Sequence, residues 1–119
     1  MSELPLLDQA ALGELVAQIG DQPARAVIDL FRAEIYSFVA TIGEGGAHPD
    51  DPVHRDQAGR AAHSLKSSAG QIGALALAAA AERVEAVTAE SEADFVEEAA
   101  ALARCAEETE AALAAWLLR

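Results

Sequence analysis

A chain of 119 residues with 20 acidic and 8 basic side chains, net charge −12, makes a poor nucleic-acid partner, because phosphate contacts draw on lysine and arginine. Its 52% apolar content and mean hydropathy of +0.14 exclude a disordered polyelectrolyte. No run reaches the ~18 uninterrupted apolar residues of a membrane span, and a single cysteine, Cys105, excludes an intrachain disulfide or a cysteine-rich metal site.

The length suits one domain over residues 1–119. With only 4% aromatic residues, its core must be built from Ala, Leu, Val and Ile. The opening stretch MSELPLLDQ is acidic and lacks the apolar segment of a secretory signal, so a cytoplasmic setting is expected.

Apolar spacing is helical nearly everywhere. Asp8 reads as the cap of a short first helix carrying Leu12, Leu15, Val16 and Ile19 and ending at Gly20. Asp21 followed by Pro23 signals a second start, and the stripe Val27, Ile28, Phe31, Ile35, Phe38, Val39, Ile42 runs to Gly43. GEGGAHPDDP, residues 43–52, reads as a connecting loop. A third helix begins near Pro52 and runs to Ile72, with Gly73 as its stop. A fourth places Leu77, Ala81, Val84 and Thr88 on one side. A fifth, started by Ser91 with Asp94, carries Phe95, Ala99, Leu102, Ala106, Leu113 and Leu117. Amphipathic helices joined by short links predict an all-α fold: an antiparallel up-and-down four-helix bundle with a short additional N-terminal helix.

The charge is uneven. Residues 82–110 hold 10 acidic and 2 basic side chains, whereas residues 54–66 hold Arg55, Arg60 and Lys66 against Asp56 alone. Around the third helix, at about 100° per residue, Ala58, Ala62, Leu65, Ala69 and Ile72 form a stripe opposite His63. Asp56, Gly59, Arg60, Lys66, Ser67 and Gly70 surround the histidine, which therefore points away from the core. A glycine inside a helix costs about 1 kcal/mol relative to alanine, so Gly59 and Gly70 beside the ring read as room for a second macromolecule. Lys66, three residues on, would stabilise an anionic group on the ring.

The stretch HSLKSSAGQIGA, residues 63–74, resembles the signature of histidine phosphotransfer (HPt) domains, His-x-Leu-Lys-Gly-Ser-Ser-x-x-x-Gly-Ala. His63, Leu65, Lys66, Ser68, Gly73 and Ala74 match it, and LALAAAAERVE looks like the family's next helix. Where the family usually carries glycine after the lysine, this chain has Ser67. The resemblance implies a four-helix bundle that carries phosphate but is no autonomous enzyme. In it His63 would be the phosphoacceptor, Lys66 would neutralise charge, and Glu85 would bond the ring nitrogen that carries no phosphate. It also implies a response-regulator receiver domain or hybrid sensor kinase as partner, with Mg²⁺ held by that partner and no intrinsic cofactor. Arg55, Gly59, Arg60, Ser67, Gly70 and Gln71 would form the docking surface of a monomer.

No nucleotide-binding loop is present, and Asp50 and Asp51 read as helix-capping acids. His48, His54 and His63 are not expected to converge on a metal, since His54 and His63 lie about 13 Å apart along one helix. The alternative is a helical adaptor or dimerisation module whose histidine accepts no phosphate.

Overall fold

The computed structural model describes residues 4–119, so the first three residues of MSELPLLDQ lie outside it. Five helices and no strand occur among the described residues: α1 (Gln9–Ile19), α2 (Asp21–Ala47), α3 (Pro52–Ile72), α4 (Leu75–Ala86) and α5 (Glu92–Leu117). Among them, no helix is long and apolar enough to cross a membrane.

The ends follow local chemistry. Asp8 accepts from the N–H groups of Ala10 and Ala11, Asp51 from Val53, and Ser91 from Asp94, each satisfying donors that a helix start leaves free. α2 starts at Asp21, where the sequence signals a start, with Gly20 at the N-cap position and Asp21, already helical, paired with Arg25 at 3.0 Å.

α2 also runs beyond its expected end at Gly43, through three glycines to Ala47. The reason is tertiary. A Cβ on Gly45 would stand 2.6 Å from the Ala58 Cβ and 3.1 Å from Phe95 Cζ, so the bare backbone lets α2 approach α3 and α5. Packing stabilises helical turns whose intrinsic propensity is poor. Of the presumed loop only His48–Asp51 remains between the helices.

α2 packs on α3 and α5, and α4 packs on the same two, while α1 covers α2 and α3. One buried cluster takes Leu12, Ile28, Leu65, Leu77, Phe95 and Leu113, and so draws on all five helices. Alanines such as Ala58, Ala62, Ala69 and Ala81 fill the seams with no exposed area. α2 and α5 are further tied by Arg32, whose Nε and Nη2 donate to the two carboxylate oxygens of Glu110 at 2.8 and 2.7 Å.

Candidate functional site

The tight turn between α3 and α4 sets the site. Gly73 adopts φ +89°, a left-handed conformation that favours glycine, and Ala74 N–H returns to the Ala69 carbonyl at 2.8 Å. The Asp8 N–H bonds the Gly73 carbonyl at 2.8 Å, so the segment before α1 fastens the turn from outside. His63 lies ten residues before Gly73 and Glu85 twelve after it. At 1.5 Å per residue both stand about 15–18 Å from the turn, side by side on neighbouring helices.

His63 Nδ1 donates to Glu85 Oε2 at 2.6 Å, and Lys66 Nζ donates to Glu85 Oε1 at 2.7 Å. One carboxylate thus holds both the imidazole and the ammonium. The Lys66 ammonium first, and the His63 hydrogen bond second, hold the Glu85 carboxyl below the ordinary glutamate range. Reciprocally, the bond to Glu85 raises Lys66. An ionised carboxylate only accepts, so the ring hydrogen belongs on Nδ1 and the lone pair on Nε2. With 67% of its side chain exposed, the histidine presents that nitrogen to water. The ring borders a shallow depression of about 410 Å³ lined by Asp56, Gly59, Arg60, Glu85 and Thr88 among others.

The surrounding residues divide. Ser67, Gly70 and Gln71 are exposed on the same helix, and a Cβ at Gly70 would meet nothing within 4 Å. Gly59 has a different reason from the expected open access. A Cβ there would lie 2.9 Å from Thr88 Oγ1, so this glycine admits the link after α4. Arg60 is exposed but pairs with Asp56 at 2.6 Å.

Arg55, expected on the docking surface, turns inward. Its Nη2 donates to the carbonyls of Glu90 at 2.7 Å and Val87 at 3.3 Å, and its guanidinium lies 5.0 Å over the Phe95 ring. It latches the α4–α5 link to α3, a role invisible in a count of basic residues. Thr88, read as part of the fourth helix, lies just beyond the end of α4 at Ala86, and its contact with Gly59, like the Arg55 latch, went unnoticed in the sequence. The three histidines do not converge as a set, but His48 and His54 stack with ring centroids 4.6 Å apart.

The helical bundle thus presents an exposed, carboxylate-held imidazole beside a lysine. The family model described as the Hpt domain matches residues 26–115, more than half of the chain. The chain belongs to the Hpt domain family, the histidine phosphotransfer modules of phosphorelays, which interact with receiver domains and kinases of two-component systems. No curated protein and no solved structure matches it.

Proposed function

We propose that the chain is a phosphorelay intermediate in which His63 Nε2 takes a phosphoryl group from the aspartate of a receiver domain or hybrid kinase and passes it to another receiver. The observation that carries this reading is the Glu85 carboxylate bonded to His63 Nδ1 at 2.6 Å while the ring stays exposed. The Nε2 lone pair attacks phosphorus, the N–P bond forms, and the acyl-phosphate O–P bond breaks with its electron pair returning to the aspartate. No proton moves. The ring keeps its Nδ1 hydrogen and gains positive charge, which Glu85 offsets across the same hydrogen bond. Lys66, within one turn, neutralises phosphoryl oxygens on the transferred group.

In this reading the receiver supplies Mg²⁺ and the in-line geometry, and this chain brings no cofactor to the transfer. The partner docks over Arg60, Ser67, Gly70 and Gln71 around the His63 depression, with Gly59 shaping its floor. The chain is taken as one domain over residues 1–119 and a cytoplasmic monomer, with α2–α5 as an antiparallel up-and-down bundle. Short links and the ring of helix neighbours support that topology.

The test is incubation with a phosphorylated receiver domain and Mg²⁺. Acid-labile label should appear on the wild-type chain and be absent from His63→Gln. Equal labelling of both chains, or of neither across a panel of receivers, would overturn the reading in favour of a non-phosphorylated adaptor.

A further inference from the structure

At the end of the molecule where α2 meets α3, a second group of side chains is unused by phosphoryl transfer. Glu44 lies in the last turn of α2, His48 follows four residues later as its C-cap, and His54 sits in the first turn of α3. His48 Nε2 lies 3.8 Å from Glu44 Oε2, and the two imidazoles are stacked and tilted by 35°. One ligand atom from each of Glu44, His48 and His54 lies within 4.8 Å of the others.

His54 is also oriented. Its Nδ1 is 2.5 Å from Asp51 Oδ2, while Asp51 Oδ1 caps α3 through the Val53 N–H at 2.9 Å. Capping α3 needs only the acid; nothing in it requires an imidazole three residues later. A carboxylate on Nδ1 fixes the tautomer that leaves the Nε2 lone pair available, the usual arrangement of a metal-binding histidine.

We propose that Glu44, His48 and His54 bind a borderline divalent cation of the zinc type, with Asp51 as the positioning carboxylate. Two imidazoles and one carboxylate suit such an ion over Mg²⁺ or Ca²⁺, which prefer all-oxygen shells. Bonds of about 2.0–2.2 Å in tetrahedral geometry place donors about 3.3 Å apart. Ligand atoms that lie within 4.8 Å of one another need to close by about 1.5 Å to reach that spacing. Glu44 and His48 have freedom to do so, their side chains being 66% and 53% exposed. His54 is the fixed point.

Three protein donors leave a fourth position for water or for a donor from another molecule. Because only His48–Asp51 separates the helices, the ion would brace the α2–α3 corner. It lies about 13 Å along α3 from His63, too far to touch the phosphoryl group.

The experiment uses the full chain, stripped with chelator and titrated with ZnCl₂ alone. Thermal unfolding and imidazole ¹H–¹⁵N shifts are followed. Zn²⁺ should raise the unfolding temperature and perturb His48 and His54 in wild type and in His63→Gln alike, while equal Mg²⁺ does neither. The His48→Gln/His54→Gln double variant should lose the effect. Asp51→Asn, which keeps a good helix cap, should weaken Zn²⁺ affinity about 10- to 100-fold. Unchanged affinity in the double variant, loss of binding in His63→Gln, or a wild-type Kd weaker than about 1 mM would overturn the site.

Discussion

His54 and His63 ride on the same helix and share one structural unit, an imidazole whose Nδ1 meets a carboxylate at 2.5 and 2.6 Å. They differ in where the carboxylate comes from and in what stands beside the other nitrogen. Asp51 belongs to the cap of the same helix, three residues away, so His54 is anchored by local structure alone. Glu85 arrives from α4, 22 residues later, so the His63 anchor exists only when α3 and α4 are docked. Beside His63 stands Lys66, a cation suited to an anionic group on the free nitrogen. Beside His54 stand His48 and Glu44, an imidazole and an acid suited to a cation. The same carboxylate-held imidazole thus recurs on one helix with neighbours of opposite character.

Removing each anchor's charge in turn separates the two histidines. In Glu85→Gln the amide oxygen can still accept from Nδ1–H, but it offsets no positive charge on the ring and leaves Lys66 without its anion. Phosphoryl uptake at His63 should slow about 10- to 100-fold, the scale seen when a carboxylate that orients a metal-binding imidazole is lost. Asp51→Asn should leave that rate unchanged. Single-turnover labelling from a phosphorylated receiver measures both, and equal slowing in the two variants would show that the anchors are not separate.

The helix faces beside the two histidines contrast as well. A methyl group at Gly45 would press on Ala58, on Phe95 and on the His54 carbonyl 3.1 Å away. Overpacking of this kind costs about 1–3 kcal/mol, against at most about 1 kcal/mol gained from helix propensity. Gly45→Ala should therefore lower the urea midpoint. At Gly70 the same change meets open space, so Gly70→Ala should raise stability by up to about 1 kcal/mol. If both variants gain, the α2–α3 corner relaxes more easily than its packing implies.

That glycine contrast also marks what the sequence can and cannot carry. α3 was legible because Asp51, Pro52, the Ala/Leu stripe and Gly73 all state the same helix locally, and the wheel placed His63 outward. Glu85 was legible through the family resemblance, since no local pattern links residues 63 and 85. The extension of α2 to Ala47 was not, because three glycines argue against a helix and only the contact with Ala58 and Phe95 argues for it. That same extension carries His48 to His54, so an illegible helix end hid their pairing. Arg55 lies about 80° around α3 from His63, at the border between face and core. Its charge favoured the face, while the Val87 and Glu90 carbonyls, visible only in three dimensions, draw it inward.

The smallest expected effect lies in the pH dependence of the Lys66–Glu85 pair. Glu85 has its folded-state pKa lowered, so its contribution is present above the unfolded value and is lost as pH falls through the lower folded one. Lys66 has its pKa raised, so its contribution is present below the unfolded value and is lost as pH rises through the higher folded one. The pair should therefore support the fold on a plateau from about pH 5 to pH 10 and withdraw support on both sides. Both side chains keep about a third of their surface in water, at 35% and 32%, so the amplitude is modest and shrinks with salt. Unfolding midpoints of wild type and Lys66→Met across pH 3–11 should differ on the plateau and converge at its acid and alkaline ends. A constant difference across the range would mean that Lys66 stabilises the helix pair through its methylene chain rather than its charge. In that case the cation beside His63 would be free to follow the phosphoryl group instead of being held by Glu85.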